Sequence, residues 1–427
     1  MPTCAVVLAL IAGAGLSAVQ IDPASPLAVL LFQGTSDDAR NLLISIASTM
    51  VTVIALVLGL TVVALQLAST QFSPRLLRNF LRDFPNQLTL SAFVATFAYS
   101  TAGLYTVGIA AGQRIETYPR LAVSGALLLL FVSMVMLVFF VHHLSHSIQV
   151  DQVMKSVERG TLRVIERSFI PGDPGIGMPI PPEGAMVLPA PWSGYVQAFH
   201  VEPFVAVLAR RGLAARIVPV IGRHMVAGAP LAWVWKSPDW DGGGLPGEDT
   251  GAELRRALSQ SVRIGYERTL EQDVAFGIRQ LADVASKALS PAINDPYTAN
   301  QAVDHLGSIL AALSLRQHGP RAVSDAQGTV RLHVPARDFA YLVDLALGQV
   351  RRYGAGEPRV VRALLRVCSD LAWFGSAAHH AVVRQYVETL LSDVSRLVAQ
   401  PADRDPLLAE GAALLKAFDV PGAGDGP

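Results

Sequence analysis

Only two cysteines, Cys4 and Cys368, occur in 427 residues, and they lie far apart in unlike segments. Neither a disulfide framework nor a thiolate zinc site can be built from them. Charge is scarce as well. Asp, Glu, Lys and Arg make up 16% of the chain, against about 25% in a soluble globular protein, and the deficit falls in the first 150 residues. The formal net charge is zero, so the charge balance gives no argument for nucleic acid. No platform of interleaved aromatic and basic residues supports RNA or DNA binding either. There is no phosphate loop, no GxGxxG after a strand and no EF-hand run. Ser290 lacks a nucleophile elbow, and neither paired carboxylates nor a triad stands out. No catalytic residue and no metal is therefore assigned, any cofactor is left open, and an enzyme is the reading with least support.

What the sequence does have is grease. Hydrophobic residues make up 51% of it, and a membrane crossing needs roughly 20 of them to cover about 30 Å of hydrocarbon. Four stretches come close, at about 4–19, 42–68, 88–111 and 121–141. The first is short. It offers small residues ("AGAGLSA") for signal cleavage but lacks a positive leading region, so a retained span is the favoured reading. Lys and Arg in short loops set orientation. Arg75, Arg78 and Arg82 follow the second stretch, and Lys155, Arg159, Arg163 and Arg167 follow the fourth. The 20–41 loop instead holds Asp22, Asp37 and Asp38 against Arg40, and the 112–120 loop holds Arg114, Glu116 and Arg120. This pattern puts 69–87 and everything after 142 in the cytoplasm.

Ser73-Pro74 is a helix start, and Arg75, Arg78 and Arg82 then recur opposite Leu76, Leu77, Phe80 and Phe84. The spacing predicts an interfacial helix with its arginines toward lipid phosphates. The competing reading is a ring of arginines gating an oligomer. "VHHLSH" sets His142 and His146 one turn apart with His143 beside them. That spacing can hold a metal, but no third ligand is evident, and histidines near water are the commoner case.

Residues 151–183 read as a connecting helix and a Pro/Gly linker ("IPGDPGIGMPIPPEG"). From 184 to 251 the pattern shifts to short runs around glycine turns: "GYVQAFHV", "AARIVPVI" and "PLAWVW" predict strands, and "EPFVAVLARRG" a short helix. The likeness to small lipoyl-type modules is weak, since no Lys sits at a hairpin tip. From 252 to 420 the chain reads as helical, with helices at 266–289, 299–316, 336–353, 358–374, 378–399 and about 405–418, and "TVRLHV" as one strand between them. Tyr266, Leu270, Val274, Ile278, Leu281, Ala285 and Leu289 form one amphipathic stripe. Arg351, Arg352, Arg359, Arg362 and Arg366 give a basic surface that reads as solvated.

The stretch "ALSPAINDPYTA" (288–299) breaks this helical run. Pro291 cannot continue a helix, while Asp295 followed by Pro296 is a strong helix start. Asn294 suits a left-handed turn residue. Together these predict a helix–corner–helix joint that requires no chemistry. The same stretch, preceded by "QDVAFGIRQLADVASK" and accompanied by "ALQLASTQFSPRLLRNF" at 64–80, resembles the hallmark of a family of bacterial predicted inner-membrane proteins of unassigned function. The resemblance covers nearly the whole chain. It implies an inner-membrane location and supplies no reaction.

If the corner is a site, its candidates are Asp273, Arg279, Asp283, Lys287, Ser290, Asn294, Asp295 and Thr298. Asp283, Asn294 and Asp295 offer oxygens of the kind Mg²⁺ or Ca²⁺ prefers. Arg279 and Lys287 suit an anionic headgroup or a nucleotide phosphate. As a solvated ladder, Arg279, Asp283 and Lys287 need no ligand at all. The second stretch carries Ser45, Ser48, Thr49, Thr52, Thr61 and Gln66, candidates to line a narrow pore. The expected protein is mostly α, with about four transmembrane helices, a small cytoplasmic β module and a C-terminal helical domain. Its expected partners are the lipid bilayer and copies of itself. A homo-oligomeric channel or passive transporter leads, and a membrane-anchored scaffold or ligand sensor is the alternative.

Overall fold

The long apolar runs fold as helices, because in hydrocarbon only a helix satisfies its backbone groups within one segment. The computed structural model describes residues 2–18, 31–71, 84–107, 109–110, 113–114, 118–147, 149–168, 177–237, 248–316, 318–374 and 376–418. It divides into two units, 1–153 and 154–427.

The first unit holds α1 (Pro2–Ala18), α2 (Ser36–Gln71), α3 (Phe84–Thr106), a two-residue antiparallel pair β1 (Ile109–Ala110) and β2 (Gln113–Arg114), and α4 (Arg120–Ser147). Three helices are long and apolar enough to cross a membrane, over Ser36–Gln66, Phe84–Tyr105 and Arg120–Ser145. The helix over the first hydrophobic stretch has 17 residues, about 26 Å at 1.5 Å per residue. It is the shorter apolar helix beside the three, where four full spans were expected.

Helix α3 packs against α1, α2 and α4, and its small and hydroxyl residues make that possible. Thr96 shares a buried hydrogen bond with Ser133 of α4 at 2.8 Å. The Tyr99 hydroxyl donates to the Ala122 carbonyl at 2.9 Å, and Gly13 and Gly125 border its side chain. Gly103 lies against Leu43 of α2. Leu128, Phe131, Val135 and Val138 of α4 point outward instead, the distribution a lipid solvent favours.

The second unit continues from α5 (Val150–Ser168), whose Met154, Val157, Thr161, Val164 and Ile165 are buried. It then contains β3 (Met186–Pro189), β4 (Gly194–Phe199), α6 (Glu202–Arg210), β5 (Leu213–Ile217), β6 (His224–Met225), β7 (Pro230–Lys236), α7 (Glu248–Ser261) and β8 (Val262–Gly265). After α8 (Val274–Ala288) and α9 (Pro296–Ser314) come β9 (Arg321–Ser324) and β10 (Val330–Val334). The last helices are α10 (Phe339–Val343), α11 (Gln349–Gly354), α12 (Pro358–Leu371), α13 (Ala377–Leu397) and α14 (Pro401–Ala417).

One sheet runs β3-β7-β5-β10-β9 and a second β6-β4-β8. Only the β10–β5 pairing is parallel within them. The sheets continue past residue 251 through β8, β9 and β10. Strand β10 falls on the "TVRLHV" run expected as a strand, and β8 and β9 join the sheets from the same segment, because β4 and β5 are almost wholly buried and a buried edge must be paired.

Two helix boundaries also differ from expectation. The 266–289 helix starts only at Val274, since 266–273 forms a turn tied to β4 by bonds from Gln197 to the Glu267 carbonyl and between Gln272 and the Phe199 backbone. Expected helix 336–353 is interrupted by a π-turn at Asp344–Gly348.

Helices α5 and α8 meet closely at Gly277. A Cβ there would collide with the Thr161 hydroxyl and press on Leu270, and Thr161 has no exposed surface. Gly277→Ala is expected to cost about 1–3 kcal/mol in chemical unfolding of the solubilised protein. The double variant with Thr161→Ala is expected to regain most of that loss.

Candidate functional site

Asp273 opens the candidate stretch, and its carboxylate is 2% exposed. It caps α8 by accepting the Phe276 N–H at 3.1 Å. Arg268 grips it with two bonds, Nε to Oδ2 at 2.8 Å and Nη2 to Oδ1 at 3.0 Å. Gly222, at φ +82°, faces the same ion pair, and any Cβ on it would strike both side chains. Arg268 also lies over the Phe276 ring, 5.3 Å from its centre. Asp273 is thus spent on structure.

Arg279, on α8, donates to the Gln349 side-chain carbonyl at 3.2 Å. Beside this bond lies a recess of about 380 Å³ lined by Arg279, Asp344, Leu345, Gln349, Arg352 and Tyr353. The π-turn shapes it, since one extra residue in the turn rotates the side chains beyond it about the helix axis. Arg352 reaches back to the Gly348 carbonyl at 3.2 Å and sits 3.9 Å from Asp344. Asp283 and Lys287 come later on the same helix, half-buried, and neither is free of partners.

At the corner, the Ser290 carbonyl accepts the N–H groups of Ile293 at 3.0 Å and Asn294 at 2.9 Å. Asn294, at φ +48°, is the one non-glycine in the left-handed region among the described residues. The Asp295 N–H donates to the Ala288 carbonyl at 2.8 Å. Its carboxylate accepts the Thr298 N–H at 3.1 Å and hydroxyl at 2.5 Å, capping α9 with Pro296 as its first residue. Those bonds from Thr298 hold the Asp295 carboxyl below its ordinary pKa. Among the described residues no three His, Cys, Asp or Glu side chains gather as metal ligands do. Of the eight candidates, only Arg279 lines the recess.

The family described as "Predicted membrane protein (DUF2254)" matches residues 1–370. The chain belongs to it. Among curated relatives of this DUF2254 protein are "Uncharacterized protein Rv1290c" of Mycobacterium tuberculosis and "Uncharacterized protein Mb1321c" of Mycobacterium bovis. Each is 39% identical over 429 residues, covering 99% of this chain and 81% of the relative. No solved structure matches.

The membrane candidates of the DUF2254 chain divide by face. Ser45, Ser48, Thr49, Thr52 and Gln66 are exposed on α2, turned away from the bundle. Thr49 and Thr52 donate to carbonyls one turn back, Ser45 at 2.7 Å and Ser48 at 3.3 Å. Thr61 departs from the group: it is half-buried and bonds Val57, because sixteen residues from Ser45 carry it to the opposite side at 3.6 residues per turn. Arg75, Arg78 and Arg82 lie outside the described residues. His143 stacks on Phe139, and the side chain of His146 lies outside the described residues.

Sequence reasoning missed Arg268, Gly222, Gln349, Arg352 and Tyr353 as neighbours of the candidates. Arg268 stands five residues before Asp273, a spacing that signalled nothing while both were read on one helix. The π-turn carries no local signature.

Asn294→Val is expected to cost about 1–2 kcal/mol, the penalty of a left-handed β-branched residue, whereas Asn294→Gly is expected to be near neutral. Asp295→Ala is expected to cost about 1 kcal/mol at neutral pH. Because the folded pKa is depressed, that contribution is complete above the ordinary carboxylate value and fades as pH falls below it. Unfolding midpoints of wild type and Asp295→Ala, measured down a pH series, should therefore converge in acid.

Proposed function

We propose that this protein is a homo-oligomeric channel or passive transporter of the bacterial inner membrane, with four crossings and residues 154–427 in the cytoplasm. The outward face of α2 carries the reading. Ser45 and Thr49, Ser48 and Thr52, and Ala55 and Gly59 are three small pairs at i, i+4, all exposed. No Cβ added at Gly59 would meet anything within 4 Å. In lipid, small and hydroxyl residues on a helix face promote close helix association. Copies packed through this face bring Ser48, Thr52 and Gln66 to a common axis.

The topology rests on the Lys and Arg of 69–87 and of the segment after 142. The 17 residues of α1 are at the lower bound for a crossing. Passive transport rather than pumping is favoured because stretches 42–68, 88–111 and 121–141 contain no Asp, Glu, Lys, Arg or His, the residues that relays and ion-coupled carriers place there.

The alternative, a membrane-anchored ligand sensor, is favoured by a different observation, the recess. Two guanidinium groups, an amide and a phenol around about 380 Å³, against the single carboxylate of Asp344, leave a net positive lining that suits a small anion. Binding of inorganic pyrophosphate to the solubilised protein, abolished by Arg279→Gln, would support it.

Disulfide mapping and flux test the leading reading. In a Cys4→Ser background, Ser48→Cys is expected to form linked dimers on mild oxidation in liposomes. Val135→Cys, exposed on α4, is expected not to. Solute efflux from the proteoliposomes is expected to fall roughly ten-fold with Thr52→Leu, a bulky plug in a narrow pore. Absence of both the cross-link and the efflux would sink the proposal.

A further inference from the structure

Helix α5 has a second face that its packing does not use. The buried side comprises Met154, Val157, Thr161, Val164 and Ile165. Directly opposite, at 3.6 residues per turn, run Lys155, Arg159, Arg163 and Arg167, each four residues from the next and all exposed. Among the described residues none of these four is ion-paired. Arginines elsewhere in this unit commonly are: Arg210 and Arg211 share Glu253, Arg351 holds Asp393, and Arg366 meets Asp304.

The acidic residues of α5 do not cancel this stripe. Glu158 is turned inward, where its carboxylate meets His305 Nδ1 at 2.8 Å. Asp151 and Glu166 remain on the exposed surface, so the cations outnumber the anions there by two. Like charges at i, i+4 repel one another along a helix. A row of four without partners is thus mildly unfavourable to α5 itself, and an external anion relieves it.

Sequence separation brings the stripe to a membrane. Helix α4 ends at Ser147 and α5 begins at Val150. Two residues separate the helices, so chain length alone keeps Lys155 within about 20 Å of the end of α4. A basic cluster in the segment next to a crossing can reach the headgroup layer, where the negative potential of anionic lipid attracts it. A stripe along the helix axis matches a flat layer of headgroups better than it matches one compact anion.

We propose that the Lys155–Arg159–Arg163–Arg167 face of α5 binds anionic phospholipid headgroups at the membrane surface. This holds whether or not the protein conducts, since it needs only α4 in the membrane. Arginine contributes forked donors to phosphate oxygens, and Lys155, nearest the span, a mobile point charge.

The test is native mass spectrometry of the full-length protein, titrated in micelles with phosphatidylglycerol or phosphatidylcholine. Wild type is expected to retain phosphatidylglycerol preferentially, and raising ionic strength before analysis is expected to strip it. The variant K155Q/R159Q/R163Q/R167Q is expected to lose affinity by roughly ten-fold or more. R359Q/R362Q, which removes two exposed arginines from α12, is expected to behave as wild type. No lipid preference in the wild type, or an unchanged one in the quadruple variant, would overturn the proposal. So would an equal loss in both variants, which would mean diffuse attraction to any basic surface. Heparin displacing the lipid from the wild type while phosphatidylglycerol fails to compete back would point to a polyanionic macromolecule instead.

Discussion

A carboxylate taken out of water must be fully paired, and much of the second unit is arranged around meeting that demand for Asp273. Arg268 approaches it as a two-pronged fork, the first turn of α8 offers it an N–H, and Gly222 stands close because nothing larger fits. Three segments, a loop of the β layer, the 266–273 turn and α8, are thereby tied at one point. Removing either charge would strand the other in the interior, a far larger loss than an exposed pair represents. The position of α8 depends on this clasp, and with it the places of Arg279 against Gln349 and of the corner at Asn294.

In the first unit the solvent is different and so is the logic. Among lipid tails, a leucine gains little by turning inward, so close backbone approach and hydroxyl contacts decide packing. Helix α3 places Thr96, Tyr99 and Gly103 against its neighbours, while α4 gives its bulkiest side chains to the outside. On α2 the arrangement is reversed. Its inner side is Leu43, Ile46, Met50 and Val57, and Ser45, Ser48, Thr49 and Thr52 look outward.

Local chemistry in the sequence was enough to draw the corner. Pro291, Asn294, Asp295 and Pro296 each restrict the backbone strongly, and none needs a distant partner to do so. The apolar runs of α2, α3 and α4 were legible for the same reason. Nonlocal pairing was not. The stripe from Tyr266 to Leu289 has the period of one helix, yet residues 266–273 form a turn held against β4 by Gln197 and Gln272, and hydrophobic spacing cannot reveal that competition. The recess was hidden for a related reason, since Arg279 and Gln349 lie 70 positions apart and meet because of a π-turn. Thr61 shows the limit of composition alone: chemically it belongs with Thr52, but the helix turns it inward.

The parallel pairing of β5 with β10 has a consequence in time. Strand β5 ends at Ile217, and its neighbour β10 is completed only at Val334. At about 5–20 residues per second on the ribosome, β5 waits on the order of ten seconds with that edge open. Helix α6 is already made and can shelter one face of β5, but a face is not an edge, and the unpaired N–H and C=O groups stay available to other chains. Synthesis that stalls before Val334 would release a protein whose membrane helices are complete and whose sheet still seeks a strand.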